Sequence, residues 1–191
     1  MSQPIAVLLA GGESRRMGTP KALLDFHGRP LWQHLHERLL AAGCERVLVS
    51  GHFPQDIPGA IPDLTPGTGP LGGIAAVVAA LGPARTGTLL VTPVDLPLLD
   101  VPVLRNLLTQ HPEAAAMHYA THALPARYRL DAAFRAALAA CLADPDPRRR
   151  SMQSLAATLQ AAVLPLDAAA AAALVNANTP EEWQQVLRLS V

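Results

Sequence analysis

The chain has 191 residues, of which 50% are hydrophobic and 16% are charged. Its 15 Lys and Arg residues balance its 15 Asp and Glu residues, so no overall positive field exists to hold nucleic acid. Because aromatic residues make up only 4% of the chain, a surface that stacks nucleic-acid bases is also excluded. We therefore expect any anion to bind at a local site.

The cysteines and the N-terminus indicate the compartment. Cys44 and Cys141 match neither a zinc spacing nor a disulfide framework, which indicates a reducing environment. The N-terminus lacks the basic segment of a signal peptide, and its first apolar run is too short to cross a membrane. We expect a cytoplasmic protein with no membrane partner, folded as a single domain over residues 1–191.

Three short apolar runs predict buried parallel strands at Ile5–Leu9, Arg46–Ser50 and residues 88–92. Amphipathic spacing between them predicts helices, the first over Leu31–Ala42. This alternation is typical of a three-layer α/β fold, with a mostly parallel central sheet and helices on both faces. Such sheets bind ligands at the carboxyl ends of their strands.

Similar patterns predict the remaining elements. Strands are expected at 60–63, 114–120, 123–130 and 163–167, and helices at 70–81, 100–110, 131–143 and 148–160. Asp100 is expected to cap one of these helices. A closing helix is expected after Thr179, with Pro180 at its first position and Glu182 completing a capping box.

The loop after the first strand carries the strongest chemical signal. Gly11 and Gly12 permit positive φ and close approach of a ligand, and successive N–H groups in such a loop form an anion nest. Arg15, Arg16 and Lys21 add positive charge. The spacing matches neither a P-loop nor a Gly-x-Gly-x-x-Gly fingerprint. We predict a polyphosphate site, the alternative being a strand-to-helix turn with solvated arginines.

A carboxylate follows the third predicted strand. Asp95 stands between Pro93 and Pro97, which hold the backbone rigidly at the sheet edge that also carries the phosphate loop. Mg²⁺ prefers one or two carboxylates together with phosphate oxygens, so this position predicts a metal ligand. The alternative is that Asp95 serves as a turn or helix-cap residue.

These segments together resemble a known family. Leu9-Ala10-Gly11-Gly12-x-Ser14-x-Arg16-Met17-Gly18-x-x-Lys21 resembles the signature loop of the molybdenum cofactor guanylyltransferases. Three later segments resemble further motifs of that family in the same order: Asp63 with Gly69-Pro70-Leu71-x-Gly73-Ile74, then Thr92-Pro93-x-Asp95-x-Pro97, then Asn176-x-Asn178-Thr179-Pro180-Glu181. The matches span nearly the whole chain and are jointly more specific than any one of them.

The resemblance implies a Rossmann-like nucleotidyltransferase fold and a Mg²⁺-dependent enzyme. It would transfer GMP from GTP to the terminal phosphate of molybdenum-molybdopterin and release pyrophosphate. The implied catalytic residues are Arg16, Lys21 and Asp95, and Asp95 is also the implied Mg²⁺ ligand. The implied nucleotide-binding residues are Leu9, Ala10, Gly11, Gly12, Lys21, Ser50, Asp63, Gly69 and Asp95.

The acceptor is expected to contact the second part of the chain, about residues 111–191, while about 1–110 bind the nucleotide. The resemblance places Asn176 and Asn178 against the pterin. Arg149 is added because three cations, Arg148 to Arg150, at a predicted helix start oppose the helix dipole and indicate an anionic partner. A solvated basic turn is the alternative.

Three positions depart from the family pattern. Ser50 stands where an Asn is usual, Pro20 stands where many relatives carry Asp, and the Pro expected directly after His122 is displaced. Related cytidylyltransferases typically carry Ala where this chain has Gly11, so Gly11 favours GTP.

Several alternatives stay open at this stage. A molybdopterin cytidylyltransferase and a sugar-phosphate nucleotidyltransferase would use the same chemistry. A non-catalytic carrier of nucleotide or finished cofactor would bind without releasing pyrophosphate. We expect a monomer, and we consider molybdopterin-transfer proteins or molybdoenzyme chaperones as further partners.

Overall fold

The computed structural model describes residues 3–11, 19–53, 55–65 and 67–190. Its strands are β1 (Ile5–Leu9), β2 (Arg46–Ser50), β3 (Gly87–Pro93), β4 (Ala116–Tyr119), β5 (Ala126–Leu130) and β6 (Ala162–Leu164). Its α-helices are α1 (Leu31–Ala42), α2 (Gly69–Leu81), α3 (Val101–Thr109), α4 (Ala132–Ala143), α5 (Met152–Thr158), α6 (Ala168–Ala173) and α7 (Pro180–Leu189). A short 3₁₀ helix spans Lys21–Leu23.

The described strands form one sheet in the order β2-β1-β3-β5-β4-β6. Strand β1 pairs in parallel with β2 and β3, and β4 pairs in parallel with β6. Among these strands β5 alone runs against its neighbours, β3 and β4, so the predicted mostly parallel sheet is confirmed. Leu9 lies opposite both Ser50 and Pro93, so three strands end together at one edge.

The sheet is covered on both faces, as the apolar strands require. Successive side chains of β1 point to opposite faces. Ala6 and Leu8 pack in a core with α1, α3, α6 and α7. Ile5, Val7 and Leu9 pack in a second core with α2, α4 and α5. The predicted three-layer arrangement is therefore confirmed.

Two predicted helix starts are confirmed by their caps. The Asp100 carboxylate accepts a hydrogen bond from the N–H of Val103 at 2.9 Å. Thr179 Oγ1 accepts from the N–H of Glu182 at 3.2 Å, and the Glu182 carboxylate accepts from the N–H of Thr179 at 3.1 Å. This reciprocal pair is the predicted capping box, and it fixes the start of α7.

The helix predicted over 148–160 begins later, and this prediction was wrong at its start. Asp146 captures the N–H of Arg148 with its side chain and the N–H of Arg149 with its carbonyl, which makes a turn. Ser151 then caps α5, its hydroxyl accepting from the N–H of Ser154. The three arginines, Arg148 to Arg150, precede this cap and are not in the first turn of the helix. The inference that they oppose the helix dipole was therefore wrong.

The strand predicted over 60–63 was also wrong. Ile61 forms an isolated bridge with Ser50, and a strand does not extend from it. Pro62 has no N–H to continue a ladder. In the described part of the chain, no helix combines the length and apolar character that crossing a bilayer requires.

Candidate active site

A cleft of about 910 Å³ opens where β1, β2 and β3 end. Its lining includes these residues predicted from sequence: Leu9, Ala10, Gly11, Lys21, Ser50, Asp63, Gly69 and Asp95. Open α/β sheets bind ligands at this edge, outside the carboxyl ends of the strands. Gly12 and Arg16, also predicted, lie outside the described residues.

Lys21 and Asp95 form the charged centre of this cleft. Lys21 opens the 3₁₀ helix, and its Nζ lies 3.8 Å from Oδ2 of Asp95. Their side chains are 15% and 30% exposed, so both are largely covered yet open to the cleft. Burial raises the pKa of the Asp95 carboxyl, and the Lys21 charge partly offsets that rise. An ammonium and a carboxylate that face one cleft suit a phosphate chain and a divalent cation.

The end of β2 supports the nucleotide side of the cleft. Ser50 is 1% exposed, and its hydroxyl donates to Asp63 Oδ1 at 3.3 Å. Its carbonyl accepts from the N–H groups of Ala10 and Gly11, at 2.8 and 2.9 Å. Ser50 therefore orients Asp63 and fixes the start of the loop after β1.

Those two hydrogen bonds correct part of the predicted anion nest. The N–H groups of Ala10 and Gly11 already donate to Ser50, so they are not available to a phosphate. Gly11 does not have positive φ, and a Cβ there would lie 3.4 Å from Gly51 Cα. This is an ordinary van der Waals distance, so the described contacts require glycine at position 11 neither for a left-handed turn nor for close packing. The rest of the predicted nest falls on residues 12–18, outside the described residues.

Helix α2 packs unusually closely against the strand ends. A Cβ built on Gly73 would lie 2.4 Å from Ser50 Oγ and 3.0 Å from Leu9 Cδ2. Contacts below 3.0 Å are not found for real Cβ atoms, so this position requires glycine unless its neighbours move. Gly73 thus lets the helix approach the pair formed by Ser50 and Asp63.

A closing loop at 175–178 completes the charged centre. Asn178 Oδ1 accepts a hydrogen bond from Lys21 Nζ at 2.5 Å. The N–H of Ala177 donates to the carbonyl of Asp95 at 3.1 Å. These two contacts hold residues 175–178 in a loop beside Lys21 and Asp95. Asn176 is exposed in this loop.

The structure does not bring Arg149 into the cleft. Its side chain is 72% exposed and pairs with Asp144 at 3.7 Å in the turn before α5. Arg149 is not among the described residues that line the cleft. His122 contacts its own turn, with Nδ1 3.1 Å from the carbonyl oxygen of Ala120. Acceptor roles for Arg149, Asn176 and Asn178 stay predictions.

Several residues that line the cleft were not predicted as site residues from the sequence. Phe53 and His52 follow β2, and Leu124 reaches the cleft from the connection between β4 and β5. A signal for the first two was their position just beyond a strand end. Leu124 carried no such signal, because a loop conformation and not a strand brings it there.

The described part of the cleft offers a divalent cation few protein ligands. Within the described ranges, no group of three or more His, Cys, Asp or Glu side chains could hold a metal ion by itself. Asp95 does offer one carboxylate to the cleft. This fits Mg²⁺, which commonly takes one or two protein carboxylates and completes its shell with substrate phosphates and water.

Comparison with known proteins agrees with this geometry. A family model described as the MobA-like NTP transferase domain matches residues 6–161. A molybdenum cofactor guanylyltransferase of Xanthomonas euvesicatoria pv. vesicatoria is 42% identical over 95% of this chain and 93% of its own length. Another from Rhizobium meliloti is 35% identical over 95% of this chain and 89% of its own length.

A solved structure supports the fold independently. The molybdopterin-guanine dinucleotide biosynthesis protein A from Archaeoglobus fulgidus superposes with a TM-score of 0.76 and 19% identity. The alignment covers 97% of this chain and 98% of that one. At this identity the likeness establishes a shared Rossmann-like fold. With the family match and the two relatives, it shows that the chain belongs to the MobA-like NTP transferase family and is a nucleotidyltransferase.

Proposed function

We propose that this protein transfers GMP from GTP to the terminal phosphate of molybdenum-molybdopterin and releases pyrophosphate. The single observation that carries the proposal is the contact of Lys21 with both Asp95, which lines the same cleft, and Asn178. These residues come from three of the segments that match family motifs. The names of the relatives in Xanthomonas and Rhizobium support the substrate assignment.

Lys21 and Arg16 would hold the triphosphate. Nucleotidyl transfer requires the α-phosphate in line with the attacking oxygen, and cations to stabilise the charge that develops on the leaving pyrophosphate. The Lys21 ammonium is held by Asn178 and lies near Asp95, so its position is defined before substrate arrives. Such preorganisation is what makes an electrostatic contribution effective.

Asp95 would hold Mg²⁺ together with phosphate oxygens. When bound, the ion would neutralise phosphate charge and orient the phosphoryl groups. Asp95 is suited to this task because the Ala177 N–H and the strand end fix its backbone. Lys21 also favours its ionised form, the form that binds a cation.

The remaining residues divide between the two substrates. Asp63, oriented by Ser50, and the residues Leu9, Ala10, Gly11, Gly12 and Gly69 would contact the guanosine part. Asn176 and Asn178 would face the pterin, with Arg149 as a more distant contact. The acceptor is a phosphate monoester, which is already anionic near neutrality, so the reaction does not need a strong general base.

Three other functions predict different products. A molybdopterin cytidylyltransferase would prefer CTP, and a sugar-phosphate nucleotidyltransferase would turn over a hexose phosphate. A carrier would bind nucleotide without releasing pyrophosphate. The charged centre of Lys21 and Asp95 favours an enzyme, and the Asn178 motif favours the pterin acceptor.

The test is pyrophosphate release from GTP and molybdenum-molybdopterin, measured against Mg²⁺ concentration for the wild type and Asp95→Asn. The amide keeps the size of the side chain but loses its negative charge. We expect a loss of about 100-fold or more in kcat, about 2.7 kcal/mol in the activation free energy, and a higher Mg²⁺ requirement.

Asp146→Asn is the matched control, since Asp146 lies in the exposed turn before α5. It should keep wild-type turnover. Near-normal activity of Asp95→Asn would remove the metal assignment. Tight GTP binding with no pyrophosphate released by the wild type would contradict the enzyme proposal and favour the carrier.

A further inference from the structure

The carboxylate of Glu182 does more than cap helix α7. Its Oε2 accepts the N–H of Thr179 at 3.1 Å, the bond that a capping box requires. The same oxygen accepts a shorter bond, 2.6 Å, from the N–H of Asn178, one residue before the cap. The second bond is not part of the capping box. It fixes the position of the Asn178 backbone, in a residue that is otherwise exposed.

Asn178 connects the start of α7 to Lys21 in the charged centre. Its Oδ1 accepts from Lys21 Nζ, and an ammonium group can only donate. This fixes the orientation of the amide, so that Nδ2 remains as a donor. Nδ2 has no hydrogen-bond partner among the described residues, and the side chain is exposed. A phosphate monoester is an acceptor that such a donor would suit.

The next residue back reaches Asp95. The N–H of Ala177 donates to the Asp95 carbonyl at 3.1 Å, and Ala177 is 2% exposed. Two consecutive residues of the closing loop therefore contact the two charged residues of the cleft. A displaced Asn178 backbone would remove a partner from Lys21 and loosen the anchor at Asp95 together.

We propose that Glu182 is a positioning residue for the transfer reaction. Through Asn178 it fixes the Lys21 ammonium and aims the Nδ2 donor at the anionic acceptor. This inference rests on the proposed function for the identity of the acceptor. Its structural part, the link from Glu182 through Asn178 to Lys21, does not depend on which nucleotide is used.

The competing explanation is that Glu182 only stabilises α7. Thr179→Ala separates the two. It removes Oγ1, the other half of the capping box, and leaves both N–H bonds to the Glu182 carboxylate. Glu181→Ala controls for charge, since Glu181 is exposed in the same first turn and has no hydrogen bond among the described residues. Glu182→Gln keeps an acceptor oxygen and serves as the conservative rescue.

The experiment compares these three variants and Glu182→Ala with the wild type by melting temperature, Mg²⁺-GTP affinity from calorimetry, and steady-state kinetics with molybdenum-molybdopterin. For Glu182→Ala we expect at least a tenfold loss of kcat/KM for the acceptor and at least threefold weaker GTP binding. Thr179→Ala and Glu181→Ala should stay within twofold of the wild type, and Glu182→Gln within about threefold.

The inference is overturned if Thr179→Ala and Glu182→Ala show equal losses of activity together with equal decreases in melting temperature. It is also overturned if Glu182→Ala keeps wild-type kinetics. Failure of the proposed function is a different result, namely no pyrophosphate from the wild type itself. In that case the GTP affinities alone decide the inference, because Lys21 contacts the nucleotide whether or not transfer follows.

Discussion

At the scale of single residues, the degree of burial sets how strongly the polar side chains of the cleft interact with their surroundings. Lys21 and Asp95 are covered enough to strengthen their electrostatic interaction with a ligand, yet both still line the cleft. Ser50 also borders the cleft but is only 1% exposed, and its hydroxyl acts through Asp63. An Asn, which the family resemblance leads one to expect at position 50, would have a longer side chain, whereas the Ser50 hydroxyl donates to the carboxylate of Asp63, which lines the cleft.

His34 is a buried histidine whose protonation is disfavoured in the folded protein. It is 6% exposed on α1, packs 4.5 Å from the Phe26 ring centre, and its Nδ1 lies 3.4 Å from a guanidinium nitrogen of Arg29. Burial, with added repulsion from Arg38 and Arg29, lowers the pKa of His34 from 6.5 to about 4. The imidazole is therefore neutral in the native state at neutral pH.

The pH dependence of stability follows from that shift. Between pH 6.5 and 4 the unfolded chain binds a proton at His34 and the folded chain does not, so the free energy of unfolding falls as the pH falls. We expect a contribution of about 1–2 kcal/mol over this window, discounted for partial solvation. Urea unfolding of the wild type and His34→Phe at pH 7.0, 6.0, 5.0 and 4.5 measures it.

His34→Phe should flatten the dependence of the unfolding free energy on pH over that window. The other acidic and basic groups are the same in both proteins, so their contributions cancel in the comparison. Parallel curves for the wild type and His34→Phe would contradict the assignment.

At the scale of elements, the approach of α2 to the sheet edge sets the geometry of the nucleotide side. Gly73 faces Ser50 and Leu9 with no room for a methyl group. The helix can therefore place its first residue, Gly69, in the cleft that Asp63 also lines. The close contact between Gly73 and Ser50 therefore links the position of α2 to the orientation of the Ser50 hydroxyl.

Gly73→Ala should separate α2 from the strand ends. We expect a loss of about 1–3 kcal/mol in the free energy of unfolding, the usual effect of an added group in a tightly packed site. Displacement of Ser50 should also weaken its bond to Asp63 and raise the KM for GTP. Chemical denaturation and kinetics with varied GTP measure the two effects.

The double variant Ser50→Ala, Gly73→Ala is the informative control. It removes the oxygen 2.4 Å from the new methyl group but leaves Leu9 Cδ2 at 3.0 Å, so it should recover part of the lost stability. If Gly73→Ala alone is as stable as the wild type, the packing argument is wrong.

The elements also show what could be predicted from sequence. Strands β1, β2 and β3 were predictable because each contains a run of at least three consecutive apolar residues, as strands with both faces covered do. The start of α5 was not, because Asp146 and Ser151 compete as turn and cap residues, and only the hydrogen bonds show which one begins the helix. The Lys21–Leu23 turn of 3₁₀ helix lacked the length that a periodic pattern needs.

At the scale of the whole molecule, the loop at 175–178 contacts the two charged residues of the cleft, which lie far from it in the sequence. Lys21 and Asn178, separated by 157 positions, are in direct contact. The meeting of strand ends at one edge was predictable from the parallel sheet, and the resemblance to the family identified most of the residues. The bond from Glu182 to Asn178 and the placement of Leu124 were not predictable, because they depend on loop conformation.

The most direct test of the central claim is product identification from equal concentrations of GTP and CTP. The wild-type protein is incubated with both nucleotides, Mg²⁺ and molybdenum-molybdopterin, and the pterin dinucleotides are resolved by mass spectrometry. We expect the guanine dinucleotide in large excess, with pyrophosphate released in equal amount. A predominance of the cytosine dinucleotide would contradict the guanylyltransferase assignment while keeping the fold and the charged centre, and no dinucleotide of either base would contradict transfer to this acceptor.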